Sequence, residues 1–342
     1  MMSAEKIRKA LGLLLDDPDN ETAMTEVEEL ATSDGGADVV RELEMGRMRQ
    51  EQLQSWSIVA RLLELEITLD DEVDIAAAKQ LELARIYHEE LLREDEATVA
   101  YKRALEMRPE DAKAMEAVGE IEFGRANLEA TIEHALVEAL DTEDPDVQEM
   151  LYVRAAEAVL RYGTRDEAGL AKVDEYLDRA LKVNSQSHRA LTLAVLLYGE
   201  IADQGKLADA LAARASSAPA KEDRIASAHR LAAVLRTRLE GDERVVDAHQ
   251  QLLDLDPASS AGMSFLVEHY SASEEWDHLV ALYEDQLGSG AMSQSEEFGA
   301  WVQVAMINWK TREKPADAEP YFEKVRRVEP THAGMLQYFR ER

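Results

Sequence analysis

Apolar residues recur along this chain with helical spacing, and the pattern stops and restarts at nearly constant intervals. In Ala97 to Arg108 the positions Ala97, Ala100, Tyr101, Ala104 and Leu105 fall at i, i+3, i+4, i+7 and i+8, which places them on one helical face. Pro109 then ends the helix, because the residue before a proline is pushed out of the α region. Glu110 and Asp111 put negative charge where the next helix presents its positive end. The same stop and restart returns at Pro18, Ser185, Pro257 and Pro330. From Pro109 onward the intervals are 76, 72 and 73 residues, and a second marker falls inside each interval: Leu83-Ala84, Ala155-Ala156, Leu231-Ala232 and Val304-Ala305. Two markers per interval predict two helical hairpins, so the unit is about 37 residues.

The pattern therefore predicts an all-α chain, an α-solenoid of antiparallel helix hairpins with about eighteen helices and no strands. Residues 1–342 read as a single solenoid, with 56–342 as the regular repeat array and 1–55 as a divergent N-terminal part. Pro18 stands 91 residues before Pro109, a longer interval that predicts an inserted helix after Asp34-Gly35-Gly36, carried by Val39, Val40, Leu43 and Met48. Small residues, Ala84, Gly119, Ala156, Ala232 and Ala305, are expected where helices approach closely.

These residues resemble tetratricopeptide (TPR) repeats, of the bacterial type with long, degenerate repeats. Trp301, Val304 and Ala305 fit that family's first helix, and Ala318, Phe322, Val325 and Pro330 its second. Leu83, Ala84 and Tyr87, followed by Ala97, Tyr101, Ala104 and Pro109, form another match. The units beginning near Ala114, Ala190 and Gly262 are degenerate, their second helices from Leu128, Leu207 and Trp276 lacking the terminal Pro. The resemblance implies a right-handed superhelix whose first helices line a concave surface that holds peptides. By register from Gly119 the groove residues are Lys113, Glu116, Glu120 and Phe123; around Ala84 they include Leu81, Arg85 and His88, and around Ala305 they include Val302, Met306 and Trp309.

Charge narrows the partners. Net charge is −32, which opposes binding to a phosphate backbone, since nucleic-acid affinity rests on clustered Lys and Arg. Residues 111–150 hold twelve Asp or Glu against Lys113 and Arg125 alone, whereas residues 301–342 carry eight bases and six acids. An acidic groove implies a protein partner with a basic segment, because complementary charge speeds and orients association. The alternative reading is that these acids keep an elongated protein soluble. A basic C-terminal end and an acidic body would also suit head-to-tail self-association. The first and last helices both lack a hairpin partner, and Leu336, Tyr338 and Phe339 do not make the polar cap that a terminal repeat needs. The expectation is that the chain continues or that its ends contact another subunit.

The sequence has no cysteine, which excludes disulfides, Cys-ligated zinc and thiol catalysis and suits a reducing compartment. Lys6, Arg8 and Lys9 precede only a short apolar run before Asp16, unlike a signal peptide, and no stretch is apolar enough to span a membrane, so the expected location is cytoplasmic. Enzyme motifs are not expected. His88-Glu89 would need a second histidine where Leu92 stands to make a zinc-protease helix. Asp17, Asp19, Glu21 and Glu28 have EF-hand spacing, but Thr22 occupies the position that needs Gly. His134 and Glu138 share a helix face without a third ligand. The aromatics Phe298, Trp301, Tyr321 and Phe322 are at packing positions, with Trp309 expected to face the groove. The reading is a non-enzymatic interaction scaffold or adaptor without cofactor or metal; the alternative is a regulatory sensor or chaperone-like module that binds a small molecule or signal peptide.

Overall fold

The computed structural model describes residues 2–33, 35–70 and 72–341. Nineteen α-helices and two π-helical turns, with no strand among the described residues, gather into two compact units, Met1–Asp242 and Glu243–Arg342. The first unit contains α1 (Met2–Asp16), α2 (Glu21–Ser33), α3 (Ala37–Gln52), α4 (Trp56–Leu69), α5 (Val73–Arg85), α6 (Glu94–Met107), α7 (Ala112–Ala126), α8 (Leu128–Asp141), α9 (Pro145–Tyr162), α10 (Glu167–Val183), α11 (His188–Glu200), α12 (Gln204–Ser217) and α13 (Lys221–Thr237). The second contains α14 (Val245–Leu255), α15 (Ser260–Ala272), α16 (Trp276–Ser289), α17 (Gln294–Met306), α18 (Pro315–Val328) and α19 (Ala333–Glu341). The π-helical turns, Ile86–Glu90 and Ile307–Thr311, directly follow α5 and α17.

Five of the hairpins share a backbone device. Gln54, Leu92, Ala202, Glu274 and Glu313 all adopt left-handed φ angles between 53° and 56°. Each stands eight residues beyond a buried position on the first helix: Gly46, Ala84, Ala194, Leu266 and Ala305. A left-handed residue after a helix turns the chain back and lets the next N–H close onto an earlier carbonyl. Arg93 N–H donates to Tyr87 O at 2.7 Å, Asp203 N–H to Tyr198 O at 3.1 Å, and Lys314 N–H to Asn308 O at 2.7 Å. The second helix then packs back along the first, as α4 does on α3, α6 on α5, α12 on α11 and α18 on α17.

Burial follows the repeat positions. Leu83, Ala84, Ala97, Ala100, Tyr101 and Ala114 share one core, and Ala305, Ala318, Phe322, Val325, Met335 and Tyr338 share another. In α3 the buried stripe is Val39, Glu42, Leu43, Gly46 and Gln50, while Met48 turns outward, contrary to its place in the predicted apolar face. Gly46 is needed there, because a Cβ would stand 2.7 Å from Leu11 Cδ1 of α1. Burying Glu42 is offset by its ion pair with Arg8, and the fully buried Glu66 meets Arg47 at 2.9 Å and Lys79 at 3.2 Å. Tyr338 of α19 is buried, stacked on Phe322 at 4.6 Å, and its hydroxyl donates to Pro315 O at 2.7 Å. It closes the aromatic core of the second unit, whereas Leu336 stays exposed.

Candidate partner-binding site

The α7–α8 pair departs from the repeat. Asn127 stands eight residues beyond Gly119, where five other turns have their left-handed residue, yet its φ is −107° and ψ 10°. Its N–H donates to Phe123 O at 3.1 Å and its side-chain amide to the same carbonyl at 2.8 Å. Asn127 is also the single residue between the two helices, so the chain does not turn back as it does elsewhere. Helix α7 packs on α6 and α8 on α9, while α7 and α8 barely touch. The missing contact leaves apolar surface in solvent: Phe123 is 72% exposed, Leu140 73%, and Met115 and Val137 are exposed as well.

This corrects the role expected of Gly119. It is exposed, with nothing within 4 Å of where a Cβ would lie, because the buried stripe of α7 runs through Ala114, Val118 and Ile121 instead. The close approach is made by Gly124, where a Cβ would fall 2.3 Å from Tyr162 Cζ of α9. The four residues assigned by register, Lys113, Glu116, Glu120 and Phe123, are all exposed on α7. Arg85 is exposed at the end of α5, its guanidinium 4.0 Å from Glu89. The phenol of Tyr101 is pushed up to about 12 by burial and by the negative charge of Glu89, Glu94 and Glu120.

His88 and Trp309 are placed differently from the open groove expected for them. Both lie inside π-helical turns, four residues beyond Ala84 and Ala305. A π turn holds more residues than an α turn, so the side chains within it rotate away from the α-helical phase. His88 Nδ1 lies 2.6 Å from Glu94 Oε2 inside the α5–α6 hairpin. Trp309 packs edge-on to Phe322 and Tyr338, with Lys310 Nζ 3.4 Å from its ring centre. Met306 is half-buried, its sulfur 3.3 Å from where Gly334 of α19 would carry a Cβ.

Beside α7 the interior of the first unit is occupied by its own charges. The buried Glu94 carboxylate accepts from Arg161 at 2.7 Å, and Arg161 also donates to His88 O at 2.7 Å and to Glu157 at 2.9 Å. Burial alone would raise the Glu157 carboxyl, yet hydrogen bonds from Arg189 and Arg161 bring it below the usual range. The Glu90 carboxyl, half-buried beside Glu89, is raised by burial and by that neighbour's charge. Two sets of side chains then join residues far apart in the sequence. Gln54 donates to Asp223 at 2.7 Å and accepts from Arg214 at 3.1 Å, while Arg230 and Arg238 reach Asp19 and Asp17 at 3.3 Å each. Sequence reasoning missed this seam because its partners share no spacing; the one signal was the basic content of α13 in an acidic chain.

The other sequence candidates have structural partners. Glu21 and Glu28 both pair with Arg61 at 2.8 Å, so all four acids with EF-hand spacing are matched by arginines. His134 Nδ1 is 3.4 Å from Glu138 on the exposed face of α8. An open hollow of about 530 Å³ lies at the α6–α7 turn, lined by Arg108, Pro109, Glu110 and Asp111.

Helix hairpins packed around small and aromatic positions, five of them with the same left-handed turn, describe the fold. Among the described residues this is an all-α array of helix hairpins. No protein-family model matches the chain, and no curated protein matches it. Two solved structures align over 99% of the chain at 14% identity. One is a Naa15/Naa10 complex bound to HypK-THB, with a TM-score of 0.31 and 54% of that chain covered; the other is the P58(IPK) TPR domain, with a TM-score of 0.23 and 96% covered. The chain thus spans about half the length of the Naa15/Naa10 structure's chain. No described helix is long and apolar enough to cross a membrane.

Proposed function

We propose that this protein is a non-enzymatic interaction scaffold that binds a basic segment of a protein partner on the acidic surface of α7 and α8. The observation that carries this reading is the exposure of Phe123 and Leu140 among twelve carboxylates in residues 111–150, at the α7–α8 pair that does not close as a hairpin. Exposed apolar contact area supplies affinity, and the surrounding carboxylates select the sign of the partner. Of the two bases on α7, Arg125 is paired with Asp95 and Lys113 is exposed. Glu94, Glu157 and Glu66 are already ion-paired within the first unit, whereas the carboxylates Glu116 and Glu120 of α7 are exposed.

The test is capture from native lysate by the wild-type chain and by Glu116→Lys/Glu120→Lys, at low and high salt, read by mass spectrometry. Basic proteins retained by wild type at low salt and lost both at high salt and with the double variant are the expected result. Retention of the same proteins by both chains would overturn the reading. Capture of the chain by itself, lost on raising salt, would instead favour head-to-tail self-association through the basic C-terminal region.

A further inference from the structure

We infer that the first unit is a jaw of two lobes, α1–α7 and α8–α13, held shut by a polar clasp that releases as ionic strength rises. The inference goes beyond the scaffold reading and does not depend on the α7 surface. Three successive hairpin turns of the first lobe are each gripped by arginines of the second. At the α1–α2 turn Arg238 donates to Asp19 O at 2.7 Å and pairs with Asp17 at 3.3 Å, and Arg230 pairs with the Asp19 carboxylate at 3.3 Å. At the α3–α4 turn Arg214 donates to the Gln54 side chain at 3.1 Å, and Gln54 donates to Asp223 at 2.7 Å. At the α5–α6 turn Arg165 donates to Leu92 O at 2.6 Å and Arg161 to His88 O at 2.7 Å.

The three grips differ in how far water reaches them. At the third turn Arg161 also holds Glu94, which has no exposed side-chain surface, and α7 packs on α9, so this end is fixed. Arg214 and Asp223 are 11% and 19% exposed, and Arg230 and Asp19 28% and 34%. An ion pair open to water contributes little and is screened by salt, whereas a buried one is costly to break. The helices α1–α4 share an apolar core of their own, and none of them packs along α12 or α13. Charge and hydrogen bonds are therefore what hold the first two turns. The chain passes from one lobe to the other only at Asn127, the single residue between α7 and α8 and a helix-terminal position of the kind that absorbs hinge rotation. The lobes pivot there and at the Leu92 turn, with the Asp17–Asp19 turn as the free end.

Spin labels on Thr22→Cys and Glu240→Cys, both exposed positions close in sequence to Asp19 and Arg238, span the free end of a chain that has no cysteine of its own. Distances are read by pulsed electron paramagnetic resonance on the full chain, diluted with unlabelled protein so that only pairs within one molecule count. Salt is set at about 0.01 M and about 1 M, between which the Debye length falls from about 30 Å to about 3 Å. The expected result is one narrow distance at low salt and a second, longer one at high salt. The open-to-closed ratio should rise about fivefold or more, with helical circular dichroism unchanged. Arg230→Asp should open the jaw at low salt, and Asp19→Lys added to it should close the jaw again. A distance unchanged by salt or by Arg230→Asp would overturn the inference. So would failure of Asp19→Lys to restore the short distance, or opening accompanied by loss of helix, which is unfolding and not rotation of two intact lobes.

Discussion

The α5–α6 hairpin and the α7–α8 pair are consecutive in sequence and share a repeat length, yet one is closed and the other is open. In the first, Leu92 adopts φ 53°, Glu94 returns beside His88, and Arg161 of α9 binds both. In the second, Asn127 keeps a negative φ of −107° and its side-chain amide donates to the carbonyl of Phe123. Asn tolerates the left-handed region better than Leu, so residue preference alone would assign the turn to the wrong pair. What distinguishes them is what the turn brings together. Closing at Leu92 buries that leucine and completes an ion-paired core; α8 has a longer apolar contact available with α9, and the turn at Asn127 follows that contact.

The contrast can be broken most severely from the closed side. Arg161→Ala strips the guanidinium from a Glu94 carboxylate with no exposed side-chain surface, leaving it only His88, and should lower unfolding free energy by about 3 kcal/mol in chemical denaturation. The same network gives the pH dependence. Glu157 is held below its ordinary range, so its contribution is fully present above the unfolded carboxylate value and is lost as pH falls through the depressed folded value. Wild type should therefore lose stability in acid below about pH 4.5, and Arg161→Ala should show a shallower loss; parallel acid titrations followed by circular dichroism would show otherwise if the network were idle.

Truncating one aromatic in each pair sharpens the comparison. Tyr101 is 7% exposed and Phe123 72%. Tyr101→Ala should cost about 3 kcal/mol, and Phe123→Ala should stay within about 0.5 kcal/mol of wild type while weakening partner binding. Equal losses of stability would mean that Phe123 is covered in solution and that α7–α8 closes. The smallest effect is a gain. Ala202 is exposed at φ 55°, a conformation that costs an L-residue about 1 kcal/mol, so Ala202→Gly should raise stability by up to that amount in thermal melts. The same change at Asn127 has no left-handed strain to relieve.

Helical period and proline punctuation were enough to determine an all-α array of hairpins, since apolar spacing and the helix stop at a proline are local properties. The packing residues Ala84, Tyr101, Ala305 and Phe322 were legible for the same reason. The acidic character of α7 was legible too, because charge is a property of composition. The phase of the side chains was not. His88 and Trp309 point into their hairpins because a π turn intervenes, and the additional residue in that turn is held by contacts with Glu94 and with Phe322 and Tyr338. Gly119 matched the small position of the repeat and is nonetheless exposed, while Gly124, outside the pattern, takes the close contact with Tyr162. The seam joining Gln54, Arg214 and Asp223, and that joining Asp17 and Asp19 to Arg238 and Arg230, were likewise decided in three dimensions. Sequence alone determined which faces of this protein could be buried; which of them found a neighbour depended on competition between α7 and α9 for α8, an energy that no local pattern contains.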